Sequence, residues 1–259
     1  MRTSQLLAPG NGRFRIARVQ PDDTFGVSRE QAEKSLSTHV AKLPELHDLL
    51  YAEHRRSVLI ILQGMDASGK DGTVKHVMSG VNPRNCTVTS FKVPTPIELD
   101  HDYLWRVHAA VPRKGEIGIF NRSHYEDVLV TRVHKLVTPA ECRKRYGQIN
   151  AFEEMLTSSG VTLLKFFLHI SRDEQERRIE ERLADPRKNW KFSKSDIKER
   201  RYWKKYQEAY EDAVGHCSTR RAPWHVIPAD HKWFRNFAVS GVVVRTLEGF
   251  RMRFPGPQV

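Results

Sequence analysis

The stretch SVLIILQGMDASGKDGT, residues 57–73, decides the fold. It begins with a short apolar run rich in β-branched side chains, which is typical of a strand buried on both faces of a parallel sheet. The pattern GxxxxGK follows, between this strand and a helix predicted over residues 72–80. Glycines there allow backbone N–H groups to converge on phosphate oxygens, and the helix N-terminus and Lys70 add positive potential. The stretch therefore predicts a phosphate-binding loop.

Two positions in this loop depart from the usual pattern. Asp71 stands where the strict motif has Ser or Thr as a magnesium ligand, and Thr73 follows two residues later, so metal ligation must differ. Asp66 lies among amides expected to bind phosphate, where a carboxylate is repelled unless a cation lies between the two anions. Asp66 is therefore a candidate magnesium ligand or a group that orients the attacking phosphate. A glycine-rich turn without a phosphate role is the alternative.

Four further strand-like segments follow the loop, with helical stretches between them. They span residues 86–92, 116–121, 161–170 and 224–228. Capping residues predict helix starts at Ser28, Thr95, Thr138 and Ser171, and the first of these helices is expected to end near residue 56. The alternation predicts an α/β fold of the P-loop NTPase kind, with a doubly wound, parallel, five-stranded sheet.

No linker or internal repeat interrupts this pattern. We therefore expect one kinase domain over residues 1–259, with an N-terminal extension and helix over about residues 1–55. Residues 171–205 form a basic segment that carries 13 Lys or Arg and 8 Asp or Glu. Within it, Arg178 and Arg182 are four residues apart and share a helix face, and Lys188 and Lys191 follow in a loop. This pattern predicts a helical lid that closes over phosphates; a solvated helix with internal ion pairs is the alternative.

The overall composition narrows the class of partner. The chain has 43 Lys or Arg against 31 Asp or Glu, a formal charge of +12, which indicates a polyanionic partner. Its three cysteines are far apart, so a zinc or redox motif is not expected. No apolar run reaches the ~18 residues of a membrane span, and no signal peptide begins the sequence. We expect a cytoplasmic protein without a membrane partner.

A second group of polar residues follows the third predicted strand. An apolar strand in this place usually ends in Asp, but here it ends in Asn121, and the acid is displaced to Asp127 in the next segment. Arg122, at the carboxyl end of a central strand, is placed to contact transferred phosphate. A surface salt bridge is the alternative for Arg122, and a plain helix charge for Asp127. For His124 a packing or hydrogen-bonding role is expected.

Several long motifs together resemble the polyphosphate kinase 2 family. They are GMDASGKDGTVKHVMSGVNP (residues 64–83), FKVPTPIELDHDYLWR (91–106), IFNRSHYEDVLV (119–130), ADPRKNWKFS (184–193) and APWHVIPADHKWFRN (222–236). The resemblance covers about residues 30–250, and its details are most similar to the third class of the family, which is associated with both nucleoside mono- and diphosphates. Asn121 stands where other classes have Asp.

The resemblance implies a set of site residues. Those expected to be catalytic are Asp66, Lys70, Arg122, Asp127 and Arg178, with Asp66 and Asp127 as metal ligands. Those expected to bind phosphate or polyphosphate are Gly64, Ala67, Ser68, Gly69, Asp71, Gly72, Thr73, Lys75, Arg182, Lys188 and Lys191. Independently of the resemblance, the nucleotide is expected to contact Phe91, Lys92, Pro94 and Arg106.

The resemblance also implies the chemistry. A Mg²⁺-dependent enzyme, with Mn²⁺ as the alternative ion, would transfer a terminal phosphoryl group reversibly between inorganic polyphosphate and ADP or AMP. Homo-oligomers are expected by analogy with the family. An ATP-dependent nucleoside monophosphate kinase, similar to thymidylate kinase, shares the loop, sheet and lid and is the rival function. A nucleic-acid-binding protein is a second rival, but no nucleic-acid recognition motif is present, so nucleic acid is not an expected partner.

Overall fold

Five parallel strands form one sheet at the centre of the molecule. The computed structural model describes residues 2–187, 189–191 and 194–256, with only the backbone described at 191 and 194–196. The strands are β1 (Ser57–Gln63), β2 (Cys86–Ser90), β3 (Ile117–Asn121), β4 (Val161–His169) and β5 (Trp224–Pro228). Their order across the sheet is β2-β3-β1-β4-β5, and every neighbouring pair is parallel. The predicted five-stranded parallel sheet is confirmed, although β2, β3 and β4 are one or two residues shorter than predicted.

Helices connect the strands and cover both faces of the sheet. They are α1 (Arg29–Glu53), α2 (Lys70–Val77), α3 (Pro96–Leu99), α4 (Trp105–Ala109), α5 (Val130–Val133), α6 (Pro139–Ser158), α7 (Arg172–Ala184), α8 (Lys194–Arg200), α9 (Trp203–Cys217) and α10 (Lys232–Gly249). Short 3₁₀ helices lie at Thr3–Leu6, Ile16–Arg18, Pro83–Asn85, His124–Asp127 and Asn189–Lys191.

Strand β1 shows why the sheet needs helices on both sides. Leu59 and Ile61 point into the core shared with α6 and α9, while Val58, Ile60 and Leu62 point into the core shared with α1 and α10. Alternate side chains therefore enter opposite cores, because successive residues of a strand face opposite sides of the sheet. The strand is apolar throughout for this reason, and the doubly wound prediction is confirmed.

The predicted caps lie at the helix starts. Ser28, Thr95, Thr138 and Ser171 each accept a hydrogen bond from the backbone N–H three residues later, which satisfies a helix donor that has no partner within the helix. Two helix bounds differ from the predictions. Helix α1 ends at Glu53, where His54 takes a left-handed conformation, and α2 begins at Lys70 and ends at Val77.

The N-terminal extension packs along the outer edge of the sheet. Leu7 forms an antiparallel bridge with His225 on β5, and the N–H of Ala8 donates to the carbonyl of Trp224. Leu6 is buried in the core beside this edge. The extension thus covers part of a strand edge that would otherwise present open hydrogen-bonding groups. Within the described ranges, no helix has the length and apolar character needed to cross a membrane.

Candidate active site

The predicted loop and the residues after β3 meet at one edge of the sheet. The glycine-rich loop leaves the carboxyl end of β1, and Asn121 is the last residue of β3, the neighbour of β1. On its other side β1 pairs with β4. The connections that leave β1 and β3 therefore run to opposite sides at this point. Such a divergence at the carboxyl ends of parallel strands opens a crevice in which α/β proteins bind ligands.

The loop adopts a conformation that depends on its glycines. Gly69 has φ of 99° immediately before α2 begins at Lys70, and Ala67 has φ of 62° although it carries a side chain. Thr73 is buried and donates its hydroxyl to the Gly69 carbonyl, which ties the first turn of α2 to the loop. The N-terminus of α2 therefore faces the crevice and offers amide donors to an anion. Lys75 lies further along α2 and is exposed.

Lys70 lies inside the loop rather than extending into solvent. Its Nζ donates to the Gly64 carbonyl at 2.7 Å and to the Met65 carbonyl at 3.3 Å. Burial, reinforced by the nearby charge of Arg122, lowers the pKa of Lys70 to about 8. In this position Lys70 would place a full positive charge beside a phosphate bound by the loop.

Arg178 supports the loop from behind, which differs from the predicted contact with phosphate. Its side chain is 5% exposed and pairs with Glu174 on its own helix. The two terminal nitrogens donate to the backbone carbonyls of Ala67, Ser68, Ala229 and Asp230. All five N–H donors are thus used by protein groups, because the first two turns of α7 pack against the loop. In this structure Arg178 is a positioning residue.

A second buried arginine supports the same loop, and sequence reasoning did not identify it. Arg235, in the first turn of α10, is 3% exposed and donates to the Ser68 carbonyl at 3.3 Å. A Cβ at Gly69 would lie 1.8 Å from its Nη1, so this glycine also makes room for the guanidinium. Burial, with the charge of Arg178, lowers the pKa of Arg235 to about 9. Arg235 belongs to the motif HKWFRN, which carried part of the family resemblance, but only the packing of α10 reveals its contact with the loop.

Arg122 joins the loop to the segment after β3. It has φ of 63°, and its guanidinium contacts Asp66 at 2.9 Å and Glu126 at 3.5 Å. Burial raises the pKa of Glu126, although Arg122 and Lys70 oppose that rise. Asp66, Lys70 and Arg122 therefore lie close together. Glu126 is an additional acid at this position that sequence reasoning passed over in favour of its neighbour.

Asp127 contacts a different arginine. Arg145 on α6 donates to the Asp127 carbonyl at 2.9 Å and lies 3.5 Å from its Oδ1. Burial raises the pKa of Asp127 to about 6, while Arg145 and Arg106 act in the opposite direction. Asp66 and Asp127, the two predicted metal ligands, thus have separate ion-pair partners. Among the residues whose structure is described, no group of three or more His, Cys, Asp or Glu is arranged to hold a metal.

Asn121 is hydrogen-bonded to the unusual acid of the loop. Its Nδ2 donates to Oδ1 of Asp71 at 2.6 Å. The carboxylate is thus on the loop and the amide on the strand, whereas ordinary P-loops have a hydroxyl on the loop and an acid on the strand. The two departures in the sequence form a single interacting pair.

The predicted nucleotide contacts lie beside β2, but not all are open. Phe91 is buried and packs edge-on against Phe120, with the guanidinium of Arg106 over its ring at 5.3 Å. A base cannot stack on a ring covered in this way. Arg106 donates to the Lys92 carbonyl at 2.9 Å, the Lys92 side chain is exposed, and Pro94 is half-buried. Phe91 is therefore corrected to a supporting residue.

A cavity of about 460 Å³ opens on the outer side of the loop. The basic residues in its wall are His76, Arg178, Arg182, Lys232 and Arg235. Its acidic residues are Glu33 and Glu181, so positive groups predominate. Arg182, which the sequence predicts to contact phosphate from the lid, lies in this wall. Lys188 lies outside the described residues, as does the side chain of Lys191.

Comparison with known proteins identifies the family. The family model of Polyphosphate kinase 2 (PPK2) matches residues 26–255. The chain belongs to the polyphosphate kinase 2 family. This PPK2 member is 54% identical over 250 residues to the AMP/ADP-polyphosphate phosphotransferase of Meiothermus ruber, covering 96% of this chain and 94% of that protein. It is 44% identical over 245 residues to the ADP-polyphosphate phosphotransferase of Rhodopseudomonas palustris, covering 90% and 85%.

A solved structure agrees with this assignment. The crystal structure of Polyphosphate Kinase 2 from Arthrobacter aurescens TC1 superposes with a TM-score of 0.96 at 41% identity, over 100% of this chain and 93% of that one. The PPK2 fold therefore extends across the whole crevice described above, including the loop, the segment after β3 and helix α7.

Proposed function

We propose that this chain transfers a terminal phosphoryl group between inorganic polyphosphate and ADP or AMP, in either direction. The observation that carries the proposal is the basic cavity beside the phosphate loop of a PPK2 member. A polyphosphate carries negative charge along its whole length, so it needs cationic groups well beyond the phosphate that is transferred. The sequence relatives named for AMP/ADP and ADP support both acceptors.

The proposed transfer requires no protein nucleophile. Both reactants are anions, so the main tasks are to hold them together and to stabilise the transferring group. We assign Lys70 and the loop amides to the donor phosphate, and Arg122, 2.9 Å from Asp66, to the group in transfer. We assign Arg106 and Arg145, which lie on the Asp127 side, to the acceptor.

The acids beside Arg122 fit a hard divalent cation. Asp66 and Glu126 line one small cavity with Arg122, and carboxylate oxygens are the ligands that Mg²⁺ prefers. We propose Mg²⁺, with Mn²⁺ as a substitute, bound through Asp66 and completed by Asp127 or Glu126. Held there, the ion would supply positive charge to offset that of the reacting phosphates. Arg122 contacts both of these carboxylates, at 2.9 Å for Asp66 and 3.5 Å for Glu126.

The deciding experiment measures ATP by luminescence after the protein is mixed with Mg²⁺, polyphosphate and ADP, and then with AMP in place of ADP. ATP formed from both acceptors supports the proposal and the third-class assignment. ATP from ADP alone restricts the enzyme to diphosphates. If neither acceptor yields ATP, while ATP and a nucleoside monophosphate yield ADP, the chain is an ordinary monophosphate kinase and the proposal is wrong.

We also propose that the polypeptide acts as a single domain in a cytoplasmic homo-oligomer. A single sheet connects the loop, the lid helix α7 and the N-terminal extension, which supports one catalytic unit. Sedimentation equilibrium of the purified protein tests the oligomeric part, since a monomer of 30.0 kDa at all concentrations would contradict it.

A further inference from the structure

A charged cluster is buried in the core on the α6 side of the sheet, away from the phosphate loop. Lys165 on β4 and Glu153 on α6 are 0% and 1% exposed and form an ion pair of 2.5 Å. The hydroxyl of Tyr125, also fully buried, accepts from Lys165 at 2.9 Å and donates to Glu153 at 2.7 Å. Lys165 donates further to the Cys217 carbonyl, and Nε2 of His124 lies 3.4 Å from Glu153. All three N–H donors of Lys165 are thus used inside the core.

Stability alone does not account for such a cluster. Removing two charges from water costs several kcal/mol for each ion, and apolar side chains of similar volume often stabilise a core as well or better. Burial by itself would raise the pKa of Glu153, but Lys165 and His124 hold it below its usual value, so the glutamate stays charged. Hydrogen-bonded charges fix the geometry of their surroundings more strictly than apolar contacts do, because donors and acceptors must lie at particular distances and angles.

The cluster fixes the segment that carries Arg122. His124 and Tyr125 begin the 3₁₀ helix His124–Asp127, directly after Arg122 and Ser123. Ser123 is fully buried and accepts a hydrogen bond from Gln63, the last residue of β1, at 3.1 Å. The segment is therefore anchored on the core side by Tyr125 and Ser123, while the guanidinium of Arg122 reaches Asp66 on the crevice side.

We propose that Tyr125, Glu153 and Lys165 form a positioning network that holds Arg122 in register with the phosphate loop. Arg122 has a left-handed backbone, which a residue with a side chain keeps only when its surroundings impose it. The network supplies that constraint two to three residues away. It acts on the reaction through Arg122 and does not contact substrate, and the inference rests on the phosphotransfer proposed above.

The first test replaces Tyr125 by Phe, which keeps the ring and removes only the hydroxyl. Tyr125→Phe is expected to lower kcat about tenfold or more, since small displacements of positioning groups have effects of this size, with KM for polyphosphate changed less than twofold. The matched control is Tyr146→Phe. Tyr146 is buried on α6 and its hydroxyl accepts from Arg132 at 3.1 Å, but it does not anchor the Arg122 segment. That variant is expected to lose stability and keep its kcat.

A double-mutant cycle separates positioning from a general loss of structure. If Tyr125 acts through Arg122, the variant with both Tyr125→Phe and Arg122→Ala should be no slower than Arg122→Ala alone. Independent effects would multiply, and that result would overturn the proposal. An equal kcat for Tyr125→Phe and the wild type would also overturn it, whereas an inactive wild type would instead refute the proposed function.

If the single variants do not fold, a double variant that removes both buried charges of the network still tests the proposal. Lys165→Met combined with Glu153→Gln removes both charges and roughly keeps the volume, so a folded protein of similar thermal stability is expected. Its kcat should fall by at least the factor seen for Tyr125→Phe. A variant that is as active as the wild type would show that the charges have no positioning role.

Discussion

Burial changes the pKa of the lysine in the phosphate loop. Lys70 is surrounded by the loop carbonyls, and its pKa is lowered to about 8 by burial and by Arg122. The charged groups that face it are Arg122, Asp66, Glu126 and Asp71. The lysine proposed to bind the donor phosphate therefore loses its charge at a lower pH than an exposed lysine does.

The first prediction concerns pH. Because the pKa of Lys70 in the folded protein lies below its ordinary value, the charge is present below about pH 8 and is lost as the pH rises through that value. The ratio kcat/KM for polyphosphate, which reports the free enzyme, should therefore fall about tenfold per pH unit above pH 8.

The control for this prediction is Lys70→Arg, whose guanidinium remains charged throughout. The alkaline fall should disappear in that variant even if its overall rate is low, and Lys70→Ala should abolish transfer while the fold is retained. An unchanged alkaline limb in Lys70→Arg would assign the titration to another group.

The second prediction concerns Asn121, which donates to Asp71 at 2.6 Å. The substitution Asn121→Asp would bring two carboxylates together and should lower stability by about 1 kcal/mol, as expected for like charges near water. For a chain of this size that is a fall in Tm of about 2–4 °C. Adding Asp71→Asn should restore Tm, because the donor and acceptor are then exchanged. Failure of the second change to restore Tm would contradict a direct interaction.

At the scale of elements, helix α7 has two functions along its length. Its first turns support the loop through Gln175, which donates to the Asp66 carbonyl, and through Arg178. Its last turn presents Arg182 to the basic cavity. Helix α7 therefore both supports the loop and borders the basic cavity.

The third prediction separates these two functions. Arg178→Ala removes the hydrogen bonds to four backbone carbonyls, of which that of Ser68 keeps Arg235 as a donor, and should cost about 3 kcal/mol, since hydrogen bonds from a buried charged group are lost. Thermal unfolding should then begin about 6–12 °C lower. Arg182→Ala, which leaves the bonds to the loop carbonyls in place, should lower Tm less than Arg178→Ala does and raise KM for polyphosphate several-fold. Equal Tm values for the two variants would contradict the supporting role of Arg178.

At the scale of the whole molecule, the formal charge of +12 produces a positive electrostatic potential that attracts polyphosphate. An excess of positive charge raises the local concentration of a polyanion, and salt screens this attraction over about 10 Å at 0.1 M. The effect grows with the number of substrate charges that lie near the protein.

The fourth prediction follows from this field. KM for long-chain polyphosphate should rise about tenfold or more between 50 and 300 mM NaCl, as found for other polyanion ligands. KM for ADP, which carries few charges, should rise much less and provides the internal control. Similar salt dependence for both substrates would place polyphosphate outside the basic cavity.

The sequence by itself determined the sheet, the loop and the family. Strand β1, the GxxxxGK pattern and the capping residues are local signals, because burial on both faces, phosphate contact and helix starts each demand particular residues at adjacent positions. The predicted loop residues and Arg122 lie together as expected, since they leave the ends of neighbouring parallel strands.

Only the tertiary structure decided how the charged side chains are used. Arg178 and Arg235 donate to the carbonyl of Ser68, which is 110 and 167 residues away in the sequence. Asp127, predicted to share a metal ion with Asp66, forms an ion pair with Arg145. Arginine looks the same in a sequence whether it binds phosphate or backbone carbonyls. Its role depends on which acceptors the packed helices bring within hydrogen-bonding distance, and that is a property of the fold as a whole.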